Sequence, residues 1–162
     1  MTISRSDIDS SPSQPSRPDV TASLSRGVGR ALVAADHAVL LEMPLANGRR
    51  ADVAALDHLG QVTIIEIKSG LPDFQADHKW RDYRDYCDFF AFAVALDFPN
   101  DVLPEDEGLM IADEFGGEFV RPPTHRPLSA ARRKAMLIRF ARIGARRHHG
   151  LLDPSIDPAA VT

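Results

Sequence analysis

The chain holds a single cysteine, Cys87, in 162 residues. That excludes an internal disulfide framework and fits a reducing compartment. No apolar run reaches membrane-spanning length, so no transmembrane helix is expected. The first residues lack an apolar h-region, so no secretory signal is expected either. One further absence is local: from Val120 to Leu152 there is no acidic residue.

The overall net charge of -4 argues against a nucleic-acid partner. The acid-free stretch argues the other way. It carries nine of the 19 lysines and arginines: Arg121, Arg126, Arg132, Arg133, Lys134, Arg139, Arg142, Arg146 and Arg147. The acidic average therefore hides a basic face. Apolar content is ordinary, at 44%, and the length suits one domain burying about two-thirds of its chain surface. Residues 1–19, rich in Ser and Pro, read as a disordered tail. Residues 20–150 read as the folded domain, and residues 151–162 as a loose tail.

Along the domain, Thr21 reads as the N-cap of a helix running to about Asp36, with Leu24, Val28, Ala31, Leu32 and Ala35 at helical spacing. Gly27 and Gly29 weaken that helix or mark close packing. Ala38 to Leu45 reads as an edge strand, because Pro44 lies in it. Asn47-Gly48 signals a two-residue turn. Two strands follow, around Asp52 and Glu66. Asp73 to Cys87 reads as a loop entering a helix, with Ala76, Trp80, Tyr83 and Cys87 as its apolar stripe. Phe89 onward, FFAFAVA, reads as a central strand parallel to the Glu66 strand through a right-handed crossover. Leu109–Ala112 and Glu118–Arg121 read as short strands around Gly116-Gly117. Leu128 to about His149 reads as a long helix. Met136, Phe140 and Ile143 share one face of it, and Arg132, Arg139, Arg142, Arg146 and His149 share another.

The chemistry concentrates in Arg49 to Ser69, RRADVAALDHLGQVTIIEIKS. A strand this rich in β-branched residues is expected to be buried. A carboxylate and an ammonium at its end are costly there unless paired or bound. Alternation puts Glu66 and Lys68 on one face. A three-residue loop, His58-Leu59-Gly60, with Gly60 left-handed, sets Asp52 opposite Glu66. Two carboxylates at cross-strand distance repel unless a cation lies between them. Hard oxygen ligands with open water positions suit Mg²⁺ or Mn²⁺, and such a site with a lysine beside it suits phosphodiester hydrolysis. The bland alternative is a solvated strand end with Asp52 as a hairpin residue. Asp73 and Asp77 read as favouring a helix N-terminus.

Asp52, thirteen intervening residues, then Glu66-Ile67-Lys68 resembles the PD-(D/E)XK nuclease superfamily. The longer pattern GRRADVAAL…IIEIKSG…DF…DHKWRDYRDYCDFFAFAV resembles the MmcB-like family of bacterial DNA repair proteins, regarded as endonucleases of that superfamily. The resemblance implies a restriction-endonuclease-like α/β core: a mixed sheet, antiparallel meander plus a parallel strand, flanked by helices. It implies Asp52 and Glu66 as ligands of Mg²⁺ or Mn²⁺, with the Ile67 carbonyl as an extra ligand. Lys68 would orient the attacking water or support the transition state. Lys79 to Tyr83 matches the spacing of a Gln-x-x-x-Tyr element of some relatives, with lysine in place of glutamine, and would contact a phosphate. Arg139, Arg142 and Arg146 would bind DNA phosphates. Many relatives carry a glutamate on the first helix, but no acid lies between Val20 and Ala35 here. Glu42 is the stand-in, although a two-residue turn would set it opposite Val53, on the wrong face.

These readings amount to a metal-dependent DNA endonuclease acting in repair, in the bacterial cytoplasm on the nucleoid. The alternative is a non-cleaving module that binds DNA or a repair partner on the same fold. A homodimer is left open.

Overall fold

The computed structural model describes residues 17–155. Residues 1–16 and 156–162, most of the two expected tails, lie outside them. The described chain runs α1 (Arg17–Ala34), β1 (Ala38–Pro44), β2 (Arg50–Leu56), β3 (Val62–Lys68), α2 (Leu71–Ala76), a 3₁₀ helix (Trp80–Tyr86), β4 (Phe89–Val94), β5 (Gly108–Ala112), β6 (Gly117–Arg121) and α3 (Ala130–Leu152). The six strands form one sheet in chain order. Its centre is parallel, β3 with β4 and β4 with β5, and its two margins are antiparallel hairpins. This is the expected α/β class with a mixed sheet, and β1 is the expected edge strand.

Each face of the sheet has its own cover. Leu24, Val28 and Leu32, one turn apart on α1, pack on Val53, Ile65, Ile67, Ala91 and Met110. The opposite face, with Ile64, Phe90 and Phe92, lies under Trp80 and Tyr83 of the 3₁₀ helix and Met136 and Phe140 of α3. β4 is buried along almost its whole length because strands flank it and helices cover it. No helix among the described residues is long and apolar enough to cross a membrane.

α1 begins earlier than expected. Pro18 and Asp19 lie in its first turn, where a missing N–H is harmless and a negative charge meets the helix dipole. Thr21 is therefore inside the helix, where its carbonyl accepts the Ser25 hydroxyl at 2.8 Å. Gly27 marks close packing: a Cβ there would fall 1.7 Å from the Asp113 carbonyl oxygen.

The two hairpin turns came out differently. At β2–β3 the Asp57 amide donates to the Gln61 carbonyl at 3.2 Å, and Gly60 has φ 74°, as the three-residue loop required. The register follows, with Val53 opposite Ile65. At β1–β2 the expected two-residue turn is a three-residue loop: the Leu45 amide donates to Arg49 O at 2.8 Å, and Gly48, with φ 80°, closes it. The extra residue is Ala46. It moves Leu41, instead of Glu42, opposite Val53. Glu42 itself is left-handed (φ 47°), interrupting the ladder.

The stretch from Asp73 to Cys87, expected as a loop entering a helix, is instead the end of α2 followed by the 3₁₀ helix. Trp80, Tyr83 and Cys87 are buried as the stripe required, but Ala76 is exposed. The chain breaks at Asp77, which is extended (φ -94°, ψ 95°). Its carboxylate holds Lys68 on one oxygen and the Lys79 amide on the other. The β5–β6 turn is closed one residue early, by Asp113 N–H to Gly116 O, with the Asp113 carboxylate accepting two further amides. α3 starts after Ser129, whose hydroxyl accepts the Arg132 amide, and continues past His149 to Leu152.

Candidate active site

Glu66 and Lys68 end β3 on the face shared with Ile64, under the 3₁₀ helix. Both are buried, at 7% and 3% exposure. Lys68 Nζ donates to Glu66 Oε1 at 3.3 Å and to Asp77 Oδ2 at 2.6 Å. Among the described residues, Glu66 Oε2 has no hydrogen-bond partner.

β2 and β3 part at this end. Their ladder stops at the Val53–Ile65 pair. The Asp52 carboxylate reaches across the opening, and its Oδ2 accepts the Ile67 amide at 2.8 Å. An extended residue turns its N–H and C=O to the same edge, so the Ile67 carbonyl shares that edge with Asp52. Asp73, in the first turn of α2, takes the Ser69 amide and hydroxyl on one oxygen, each at 3.0 Å. Tyr83 donates its hydroxyl to Arg50 O at 3.0 Å.

The charges act on one another. Burial, and then the Asp52 charge, push the Glu66 acid up to about 8. Burial also raises Asp52, against the Ile67 amide and Lys68, which lower it. Burial opposes the Lys68 ammonium, yet Glu66 and Asp77 outweigh it and raise its pKa. Asp77 is held below the usual carboxylate range because the Lys68 and Lys79 bonds outweigh its burial. Burial, then Glu66 and Asp52, push the Tyr83 phenol far up. Asp52 and Glu66 therefore form a pair short of positive charge, while Lys68 stays an ammonium.

Of the residues singled out in the sequence, the structure gathers Asp52, Glu66, Ile67, Lys68 and Tyr83. Lys79 lies at the start of the 3₁₀ helix with an exposed side chain, whereas Tyr83, four residues on, is buried. Glu42 is exposed and pairs with Arg50 at 3.4 Å. Arg139 donates to Pro44 O at 3.3 Å. Arg142 and Arg146 line a groove with it on α3. Sequence reasoning missed Asp77 as the partner of Lys68, because the contact joins the end of β3 to a residue beyond α2. Among the described residues, no group of three or more His, Cys, Asp and Glu side chains is arranged to hold a metal ion.

No curated protein matches the chain. A solved structure from Silicibacter pomeroyi, described as a protein of unknown function, is 42% identical to it. The match covers 83% of this chain and 92% of that one, with a TM-score of 0.80. The sequence model of the family described as DNA repair protein MmcB-like matches residues 9–155. The chain belongs to the MmcB-like family of DNA repair proteins.

Proposed function

We propose that this protein is a divalent-metal-dependent DNA endonuclease of the PD-(D/E)XK type, acting in DNA repair. One observation carries the reading: the buried Glu66 Oε2, without a hydrogen-bond partner among the described residues, beside Asp52 and with Lys68 alongside. A buried carboxylate oxygen with no donor, next to a second carboxylate, favours a cation. The donors are hard oxygens, two carboxylates and the Ile67 carbonyl. They suit Mg²⁺ or Mn²⁺, which use few protein ligands and keep water and phosphate positions, better than Zn²⁺, which takes His and Cys.

A divalent ion, when bound there, supplies Lewis-acid charge for the scissile phosphate and acidifies the attacking water. Lys68, kept protonated by Glu66 and Asp77, serves as a donor to a phosphate oxygen or that water; it is no general base. Asp77 is its positioning residue. Tyr83 holds the start of β2 through Arg50 O and so steadies Asp52. Lys79, exposed at the mouth of the crossover, and Arg139, Arg142 and Arg146 on α3 take DNA phosphates.

The second reading, a non-cleaving module that binds DNA or a repair partner, is favoured by Lys68 being engaged by two carboxylates at once. Cleavage separates them. Nicked, flapped, branched and single-stranded DNA are incubated with Mg²⁺, Mn²⁺ or EDTA. Metal-dependent products that vanish in Lys68→Ala support the enzyme, and binding without products on every substrate supports the module.

A further inference from the structure

A groove of about 690 Å³ lies away from the carboxylates. It runs between α3, the 3₁₀ helix and the β1–β2 turn. Its floor is apolar, with Pro44, Met136 and Ile143, and Tyr86 adds an aromatic ring. Its rim is four arginines, Arg132, Arg139, Arg142 and Arg146, and no acid lines it. Asp85 neutralises Arg132, and Arg139 is tied to Pro44 O. Arg142 and Arg146 have no partner among the described residues.

We infer that this groove holds a single-stranded arm of the DNA substrate, which makes branched or flapped DNA the substrate class. The inference rests on the endonuclease reading for the adjoining carboxylate site. An apolar floor is of little use to a duplex, whose bases are stacked inside and whose binding surfaces are polar and wet. Unpaired bases expose π-faces that settle on aromatic and apolar side chains while a basic rim tracks the phosphates. Arginine suits both tasks, because its planar guanidinium pairs with phosphate and stacks on bases. Arg139 to Arg146 spans about 10 Å of helix, a length that covers a few phosphates of one strand.

Position favours DNA over an acidic peptide, which the same chemistry would accept. Pro44, in the groove, pairs with Arg50 in the ladder. The Arg50 carbonyl holds Tyr83, whose phenol feels the Glu66 and Asp52 charges. Tyr86 follows Tyr83 by one turn of the same 3₁₀ helix. These contacts link the lining of the groove to the carboxylate site.

The test is fluorescence anisotropy in EDTA, so that nothing is cut. The probes are a labelled single strand of about 15 nucleotides, a length near the upper site size of one single-strand-binding fold, the same sequence as blunt duplex, and a flapped duplex. An acidic amphipathic peptide serves as the control. The single strand and the flap are expected to bind at least tenfold more tightly than the blunt duplex. The double variant Arg142→Glu, Arg146→Glu should lose at least tenfold on both, with a flatter salt dependence, roughly 0.7 in slope per lost phosphate contact. Its thermal unfolding should match the parent, since neither side chain has a partner among the described residues. Ultraviolet crosslinking of the single strand should map to Tyr86 or α3.

Equal binding of strand and duplex, or strand binding unmoved by the double variant, overturns the inference. So does peptide binding that the variant abolishes while single strands do not bind. Metal-dependent cutting of plain duplex without single-strand binding removes the groove's role and leaves the nuclease. Single-strand binding at α3 with no cutting of any DNA does the reverse.

Discussion

The Asp52 carboxylate occupies the opening between β2 and β3, accepting the Ile67 amide at 2.8 Å just beyond the last ladder pair. It thereby satisfies a buried amide and presents charge to Glu66 at once. Substitutions separate these roles. Asp52→Asn keeps an oxygen for Ile67 and removes the charge. Asp52→Ala leaves the amide unpaired, a loss of about 1–3 kcal/mol. Urea denaturation is expected to rank parent and Asn variant close together and the Ala variant below. Neither variant should gain stability from added Mg²⁺. Equal stability of the two variants contradicts the bonding role, and retained Mg²⁺ stabilisation contradicts the ligand role.

Glu66 should give the metal-free protein a distinctive pH dependence. Its acid titrates near 4.5 in the ordinary state and is pushed to about 8 in the fold by burial and Asp52. Between those values the native state binds the extra proton. Its contribution is therefore full below the lower value and is lost as pH rises through the upper one. Glu66→Gln removes that fall. Above pH 8 the variant is expected to be more stable than the parent by a few kcal/mol at most, since each tenfold change in proton affinity is worth ~1.4 kcal/mol. Thermal melts from about pH 5 to 9, a range that brackets the loss, check it. Parallel curves for the two proteins would refute it.

Lys68 depends on Asp77. Asp77→Asn removes the charge that, with Glu66, keeps Lys68 an ammonium. The expected result is a drop of at least tenfold in kcat with KM nearly unchanged. The alkaline limb of the pH profile should move to lower pH. Asp77→Glu should restore part of the rate. A KM change with an unshifted profile would assign Asp77 to substrate contact instead.

Away from the site, Asp88 ties the fold together. Its carboxylate, fully buried, accepts the Val62 and Leu128 amides at 2.8 Å and pairs with Arg133 on α3 at 2.6 Å. Burial opposes the charge, but these bonds outweigh it and hold the pKa below the usual range. The stabilisation is present above the ordinary carboxylate pKa and is lost as pH falls through the depressed one. Arg133→Met is expected to cost about 3–5 kcal/mol at neutral pH, the penalty for leaving a buried charge without its partner. The gap from the parent should narrow in acid. Chemical denaturation at neutral pH and again at about pH 3, below the ordinary carboxylate value, measures both.

The legible parts of this chain are those whose causes are local. Gly60 announced a left-handed turn position, and that alone set the β2–β3 register. Alternation placed Glu66 and Lys68 together, and the apolar run after Asp88 marked the central strand. Asn47-Gly48 misled because the same left-handed glycine serves a two- or three-residue loop, and nothing local counts Ala46 in or out. The helix break at Asp77 was illegible for a different reason. It is accompanied by a bond to Lys68, nine residues back, which no window of helical periodicity contains. Asp88 carried a usable signal that went unread. It is a charge heading a buried strand, the same cost that drew attention to Glu66 and Lys68. Arg133, counted among surface arginines, could be reassigned only once α3 was seen to pass over the start of β4.

Cleavage of a flapped DNA under matched protein and DNA concentrations tests the central claim most directly. The parent protein is compared with Asp52→Asn and Lys68→Ala, each with Mg²⁺, Mn²⁺ and EDTA. The account expects the parent alone to cut, only with a divalent ion, and all three proteins to bind the DNA. No cutting by the parent under any ion, or equal cutting by Asp52→Asn, would contradict it.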